Sequence, residues 1–567
     1  MIQKRWSITK HDHDRAQRFA AELKTSPLLA AILIARGYST VEDANKFLNP
    51  SYEDLHEPFL MLGLREASTR VLRAIETKEK ILIWGDYDVD GTTGTTLLRS
   101  VIKTLGGVST FHIPNRFTEG YGVNKPALEN AKAEGVSLVI TVDCGIRSFE
   151  PLEWAKENGI DVIVTDHHLS DETRGNPPAF AVVNPNQPGC EYPDKHLAGV
   201  GVAFKLAHAM LREKGHADKI NDLLKITAIG TVADIMQLTG ENRSIVALGL
   251  RDLPKTKNCG LKALMEVADC RSDMTSYDIG FRIAPRINAA GRMEVAKHVV
   301  DLFECGDFNE ARKLANLLDS RNRERQKMQQ QITELALLES EKLSETKFVV
   351  VSGEGWHRGV IGLAASRIAE RVFRPTIVLS CENGMAHGSA RGIPNFHLLQ
   401  AMESCAELFD QFGGHAAAAG MTIKTESIAS LRVRLDQYAS VKLSEEQLIP
   451  EMKIDAHVSS ETLSLGMVEE LKRLEPFGAG NPKLIFVTKD LFIDEEPFVM
   501  KEKHLKFKLV GGSGKRFEAV WWDGVERSKG RTLGRGNSIE MAYTPEVNVW
   551  QGNTRLQLVV EDLREHN

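Results

Sequence analysis

From about residue 80 onward, short runs of apolar, largely β-branched residues recur, and each closes on charged side chains. Ile81-Leu82-Ile83-Trp84-Gly85 ends in Asp86-Tyr87-Asp88-Val89-Asp90-Gly91, Leu138-Val139-Ile140-Thr141-Val142 ends in Asp143, and Val162-Ile163-Val164-Thr165 ends in Asp166-His167-His168. Between about residues 65 and 235 these runs alternate with helical stretches, which predicts an α/β unit on a mostly parallel sheet. In open sheets of this kind ligands bind beyond the carboxyl ends of the strands, so Asp88, Asp90, Asp143, His167 and His168 are expected to converge.

The pattern then changes. No glycine or proline occurs between Asp307 and Ser352, and Leu314, Leu317, Leu318, Ile332, Leu335 and Leu338 recur at helical spacing among many charges. A long helix follows from this, with the stretch Arg321 to Lys327 too polar to be deeply buried. Lys347-Phe348-Val349-Val350-Val351 and Pro375-Thr376-Ile377-Val378-Leu379 predict a second α/β region, with glycine-rich loops at Gly353 to Gly362 and Gly413 to Gly420. Short strand-like stretches around Leu484 to Val487, His504 to Leu509, Phe517 to Trp522 and Arg555 to Val560 predict a small β-barrel of the OB type. The expected organisation is an N-terminal extension (1–64), a first α/β domain (65–304), a connecting helix (305–346), a second α/β domain (347–450) and the barrel (451–567).

A chain of 567 residues exceeds one core, and three or four domains are expected. No apolar run approaches the roughly 20 residues that span a bilayer, and the N-terminus lacks a continuous hydrophobic signal, so a cytoplasmic protein without membrane contact is expected. The seven cysteines form no Cys-x-x-Cys pair, which argues against structural zinc and against a disulfide framework. A formal net charge of -6 excludes a uniformly basic surface but leaves room for a local basic channel.

Alternating carboxylates beyond one strand raise one another's cost of ionisation unless a cation compensates. The set Asp88, Asp90, Asp143, His167, His168 and Asp234 offers more donors than one ion needs, so two ions are expected. Carboxylates and imidazoles without thiolate suit Mn²⁺ or Mg²⁺, and such a pair suits phosphoester hydrolysis. Asp166 is expected to orient a histidine from outside the ligand set. The Asp86 to Gly91 run lacks the EF-hand spacing, and His11-Asp12-His13-Asp14, which follows no apolar strand, is expected to be a solvated segment.

Four motifs, Gly85-Asp86-Tyr87-Asp88-Val89-Asp90-Gly91, Val142-Asp143-Cys144-Gly145, Thr165-Asp166-His167-His168 and Thr231-Val232-Ala233-Asp234, resemble those of the DHH phosphoesterase superfamily. Gly355-Trp356-His357-Arg358-Gly359 and Phe412-Gly413-Gly414-His415 resemble its DHHA1 domain. With Ala284-Pro285-Arg286-Ile287-Asn288-Ala289-Ala290-Gly291-Arg292 and Phe477-Gly478-Ala479-Gly480-Asn481-Pro482, the chain after about residue 50 resembles the RecJ family of bacterial exonucleases, which degrade single-stranded DNA 5′-to-3′. The resemblance implies that Asp88, Asp90, Asp143, His167, His168 and Asp234 hold two divalent cations, with Asp86 and Asp166 beside them. Trp84 stands where related pyrophosphatases carry a histidine.

The resemblance also implies that the second α/β region grips the strand. Ser389, Arg391, Gly414 and His415 offer hydroxyl, guanidinium, backbone and imidazole donors to phosphate, and Arg116 with Arg286 or Arg292 are candidates for the 5′-terminal phosphate. The glycines after Ser352 depart from the Rossmann spacing, which removes a dinucleotide reading. Lys501, Lys503, Lys506, Lys508, Lys515 and Arg516 form a basic stripe, and Phe507, Phe517, Trp521, Trp522 and Trp550 supply aromatics for stacking bases, at least half of them expected in the barrel core. The expected activity is release of nucleoside 5′-monophosphates from single-stranded DNA in recombination and repair, by a monomer with a helicase and a single-strand-binding protein as partners. The alternative is a phosphodiesterase for short oligonucleotides, cyclic dinucleotides or pyrophosphate.

Overall fold

The computed structural model describes residues 4–116, 118–292, 296–343, 345–529, 531–550 and 552–565. The chain divides into two compact units, one made of Glu42–Arg323 with Arg473–Pro482, the other of the segment up to Val41, Glu324–Lys472 and the chain from Lys483 onward.

In the first unit, β1 (Lys80–Gly85), β2 (Ser109–His112), β3 (Val136–Val142), β4 (Asp161–Thr165) and β5 (Ala181–Val183) form a parallel sheet in the order β2-β1-β3-β4-β5. Ile81, Ile83, Leu138 and Ile140 bury one face against helices Leu64–Glu76, Val89–Thr104 and Gly199–Glu213. Leu82, Trp84, Val139, Val162 and Val164 bury the other against helices Lys125–Ala133 and Phe149–Glu157. Burial on both faces is why the strands read as unbroken apolar runs. The strand order reverses between β1 and β3, which opens a crevice at their carboxyl ends. Trp84 is fully buried in the second of these cores and packs on His112 with ring centroids 4.4 Å apart.

The expected long helix runs from Phe308 to Glu341. Arg323, Glu324, Gln326 and Lys327 are exposed as anticipated, but Asn322 is buried, so the polar middle is not wholly solvated. The boundary between the two units falls inside this helix, between Arg323 and Glu324.

The second unit holds a mixed sheet of β6 (Val349–Glu354), β7 (Thr376–Glu382), β8 (Met385–Arg391), β9 (Phe409–Gly414) and β10 (Ala418–Lys424) in the order β9-β10-β8-β7-β6. The Gly413 to Gly420 stretch, expected as a loop, is the β9–β10 hairpin, with Gly413 opposite Gly420. Gly414 is required there: its φ is +152°, and a Cβ would come within 2.4 Å of the Ala418 carbonyl oxygen.

The C-terminal strands β11 (Phe486–Ile493), β12 (His504–Gly511), β13 (Arg516–Trp521), β14 (Ser538–Trp550) and β15 (Asn553–Glu565) close a barrel, because β11 pairs with both β12 and β14 while β13 and β15 pair in parallel. This ring, β11-β12-β13-β15-β14, is the OB topology anticipated from the sequence. Phe507, Phe517 and Trp521 fill it, whereas Trp522 is 52% exposed; the Trp550 side chain lies outside the described residues. The basic stripe is less bare than it reads, since neighbouring strands and turns bring acids to it: Lys506 pairs with Glu518, Lys508 with Glu495, Arg516 with Asp494 and Lys503 with Asp523.

Of the N-terminal extension, the segment up to Val41 folds with this unit and Glu42 onward with the first. Arg5–Ile8 pairs in parallel with Glu451–Ile454, and Asp12 caps helix His13–Leu23 by accepting from the Arg15 N–H at 3.0 Å. The His11 to Asp14 run is therefore a helix start, with His11 Nε2 2.6 Å from the Asp455 carbonyl oxygen.

Phe507→Ala is expected to cost the barrel about 3–5 kcal/mol through the cavity it leaves. Trp522→Ala is expected to stay within about 0.5 kcal/mol of the parent. Chemical denaturation followed by hydrogen exchange of barrel peptides separates the two.

Candidate metal centre

Each acid beyond a strand keeps its own amide in the sheet's hydrogen-bond ladder. Asp86 N–H donates to Val142 O (3.2 Å), Asp143 N–H to Thr165 O (3.0 Å) and Asp166 N–H to Val183 O (3.1 Å), so the row of side chains is set by strand register. Asp143 takes a left-handed φ of +61°, which an aspartate tolerates better than most residues. Gly199 packs directly against it, since a Cβ there would lie 2.5 Å from the Asp143 Cβ.

Asp88 and Asp90 come from the next element. Asp88 caps helix Val89–Thr104, accepting from the Gly91 N–H at 3.0 Å, and Gly91 is needed because a Cβ would meet the Asp86 backbone at 2.4 Å. Asp90 accepts from the Gly199 and Val200 amides at 2.6 and 2.7 Å, where helix Gly199–Glu213 points its positive end at it. Asp234 arrives as the C-cap of helix Ile220–Ala233.

These residues meet in three overlapping donor sets, Asp86 with Asp88 and Asp143, Asp143 with His167 and His168, and Asp90 with His167 and Asp234. His167 Nε2 lies 3.2 Å from Asp143 Oδ1, 3.6 Å from Asp234 Oδ2 and 3.8 Å from Asp90 Oδ2. Asp86, read from the sequence as standing beside the ligands, supplies an oxygen to one of the sets. Asp166 behaves as expected of an orienting group: its Oδ1 accepts from the His167 N–H (2.7 Å), the His168 N–H (3.1 Å) and His168 Nδ1 (2.8 Å), and its Oδ2 from the Ile146 N–H (3.0 Å).

The electrostatics call for a cation. Burial, then the charge of Asp88, lifts Asp90 to about 7, and burial with the charges of Asp90 and Asp88 lifts Asp234 to about 9. Burial and neighbouring carboxylates also raise Asp86 and Asp143 well above the usual range. Burial and the charge of His168 lower His167 to about 4, which keeps it neutral with a free lone pair. Burial opposes charging His168, but the Asp166 hydrogen bond and charge outweigh it and raise the imidazole to about 9. Asp86 Oδ1, Asp143 Oδ1 and Asp234 Oδ2 are buried and accept no hydrogen bond, so oxygens aimed at the centre await a partner. Oxygen and imidazole donors fit Mn²⁺ or Mg²⁺; Cys144, next to Asp143, turns its thiol to the Trp84 carbonyl oxygen at 3.7 Å.

A cleft of about 270 Å³ opens onto the centre, lined among others by Tyr87, Arg116, Tyr121, Asn288 and Arg292. Arg116 lies over the Tyr87 ring at 5.3 Å. Of the two arginines left open by the sequence, Arg292 lines the cleft, whereas Arg286 pairs with Asp319 at 2.9 Å and donates to the Arg282 carbonyl at 2.6 Å. Sequence reading passed over Tyr121, whose hydroxyl donates to the Asp143 carbonyl at 3.1 Å and sits 3.3 Å from His168 Nδ1; its one signal was flanking by Gly120 and Gly122, both at positive φ. It also gave no role to Asn288, which accepts from the Val89 N–H at 3.3 Å.

In the second unit Ser389 and Arg391 lie on β8, and Gly414 ends β9 with His415 following it, β10 standing between the two strands. Arg391 donates to Ser389 Oγ and Ser366 Oγ, each at 3.1 Å, and the His415 N–H is taken by Ala418 O at 2.8 Å.

The switch-point crevice, its ring of acids and histidines and the attached OB barrel define a phosphoesterase of the DHH class. Family models agree: the DHH family, N-terminal domain matches residues 80–231, the DHHA1 domain residues 345–441 and the RecJ OB domain residues 454–562. The chain is 39% identical over 564 residues to the single-stranded-DNA-specific exonuclease RecJ of Bacillus subtilis (98% of this chain, 70% of that protein). It is 32% identical over 584 residues to that of Escherichia coli, covering 98% of each. The crystal structure of RecJ in complex with Mn²⁺ from Thermus thermophilus superposes with a TM-score of 0.85 at 29% identity, over 99% of this chain and 80% of that one. The chain belongs to the RecJ family.

Because Asp90, Asp234 and His168 hold protons near neutrality, an incoming cation must displace them. Mn²⁺ affinity is therefore expected to rise as pH increases from about 7 to 9, with net proton release. Calorimetric titration in two buffers of different ionisation enthalpy measures both.

Proposed function

We propose that this chain is a metal-dependent exonuclease that degrades single-stranded DNA from the 5′ end to nucleoside 5′-monophosphates, in DNA recombination and repair. The observation that carries the reading is the meeting of Asp86, Asp88, Asp90, Asp143, Asp234, His167 and His168 in donor sets that share Asp143 and His167. Membership of a family whose characterised relatives are named single-stranded-DNA-specific exonucleases supports the substrate.

Asp88, Asp90, Asp143, His167, His168 and Asp234 would hold two Mn²⁺ or Mg²⁺ ions, and Asp86, grouped with Asp88 and Asp143, would be a further donor. When bound, the ions lower the pKa of the attacking water and neutralise charge developing on the phosphoryl group. Asp143 belongs to two of the donor sets, so its carboxylate would serve both. Asp166, bonded to His168 Nδ1, leaves the His168 lone pair on Nε2. Arg116 and Arg292 place two guanidinium groups in the cleft, where they anchor the terminal phosphate and set the scissile bond at the centre. In the other unit, Ser389, Arg391 and His415, with the hairpin glycine Gly414, offer donors to backbone phosphates, and Trp522 offers a face for an unpaired base. The enzyme works as a monomer in the cytoplasm. A helicase that opens duplex ends and a single-strand-binding protein that keeps them open supply what a single-strand substrate requires.

Mononucleotide release from labelled single strands blocked at either end tests the reading. Release is expected to need Mn²⁺ or Mg²⁺ and an open 5′ end. Asp143→Ala is expected to lower it by more than the about 100-fold that loss of a supporting partner costs. Hydrolysis confined to dinucleotides or pyrophosphate would sink the assignment. On long strands Trp522→Ala is expected to raise KM about tenfold, the value of one stacked base, with kcat unchanged.

A further inference from the structure

Arg473–Pro482 folds with the unit that holds the metal centre, although the chain on either side of it belongs to the other unit. It is gripped at two points. At the first, the buried Arg243 aims its guanidinium at backbone carbonyls: Nη1 donates to Leu474 O (3.0 Å), Nη2 to Glu475 O (2.7 Å) and Arg473 O (3.3 Å), and Nε to Phe47 O (2.7 Å). Asn481 folds the segment back on itself, donating to Leu474 O (2.8 Å) and Pro476 O (2.9 Å).

At the second point, three successive residues meet the loop that leaves Asp234. The Leu238 side chain seats on Gly478, where a Cβ would lie 2.6 Å from Leu238 Cδ1. The Leu238 N–H donates to Ala479 O at 2.8 Å. A Cβ on Gly480, at φ +71°, would lie 3.3 Å from the side chains of both Gln237 and Thr239.

That loop needs an external hold. Helix Ile220–Ala233 closes just past Asp234 with Ile235 N–H on Val232 O (3.2 Å) and Met236 N–H on Thr231 O (3.2 Å), the pairing that ordinarily places glycine in the left-handed position. Here the position is filled by Ile235 at φ +59°, a β-branched residue that is 75% exposed. Its own side chain contributes little packing to secure a conformation it disfavours, and such conformations persist only where the surroundings over-determine them.

We propose that Arg473–Pro482 is a clamp that positions the Asp234 carboxylate, with Arg243 as the positioning residue that locks it. The proposal rests on the reading of Asp234 as a metal-holding residue. Loosening the clamp weakens the donor set of Asp90, His167 and Asp234 and leaves that of Asp86, Asp88 and Asp143 intact.

The test is calorimetric Mn²⁺ titration of the full chain, with hydrogen exchange of residues 235–239 as a readout independent of turnover. Asp234→Asn is the reference. Gly480→Ala disturbs the loop contact from an exposed position, Arg243→Lys loosens the lock, and Lys472→Ala, at an exposed pair with Glu469, is the control. Gly480→Ala is expected to speed exchange in the loop and to weaken about tenfold the same Mn²⁺ equivalent that Asp234→Asn weakens, leaving the other unchanged. It is expected to lower kcat at fixed Mn²⁺ without raising KM for the strand. If Asp234→Asn weakens an equivalent and Gly480→Ala does not, the clamp proposal falls and the metal reading stands. If Asp234→Asn weakens neither, the metal reading fails and the clamp falls with it. Should Arg243→Lys fail to fold, Gly480→Ala decides alone.

Discussion

Mutual repulsion among buried carboxylates is the constraint on which the first unit is organised. Asp86, Asp88, Asp90, Asp143 and Asp234 stand close enough that burial and each other's charge raise the cost of ionising them together. The fold answers in part with fixed dipoles: Gly199 and Val200 amides on Asp90, the Gly91 amide on Asp88. What those donors leave uncompensated is the driving force for binding a divalent cation.

Rigidity around the centre follows from the same need. A cluster that resists its own assembly has to be over-determined by backbone, and it is, through strand-end amides locked in register and glycines that let Asp86 and Asp143 approach neighbouring backbone closely. Asp166 carries the principle to the histidines, engaging both oxygens with amides and with one imidazole nitrogen so that His168 has one orientation. Asp88 and Asp90 come from the N-terminal end of a helix, whereas Asp234 sits at the C-terminal end of one, and the loop that leaves it is gripped by Gly478, Ala479 and Gly480.

The barrel shows how linear charge counts mislead. Lys506, Lys508 and Arg516 look unopposed along the chain, yet strand pairing sets Glu518 across from Lys508, and the turn before β12 brings Asp494 and Glu495 alongside. The aromatics sort by the two-residue period of a strand, so Phe507 and Trp521 face inward while Trp522, past the strand end, faces water.

Much of this protein was legible in its sequence. The parallel sheet, the long helix, the barrel and the convergence of Asp88, Asp90, Asp143, His167 and His168 all follow from strand-length apolar runs and the rule that ligands gather at their carboxyl ends. Strand β14 was passed over because Pro545 and interspersed polar residues blur an alternation that only burial of Ile539, Met541 and Tyr543 makes plain. Tertiary structure alone decided that Arg292 reaches the cleft while Arg286 is held by Asp319, that Asp86 joins a donor set, that residues 5–8 pair with residues 451–454, and that Arg473–Pro482 belongs with the metal centre. The division has one cause. Periodicity encodes which face of an element is buried, because burial acts on every turn or pleat. A partner hundreds of residues away is chosen by a few hydrogen bonds that leave no period in the chain.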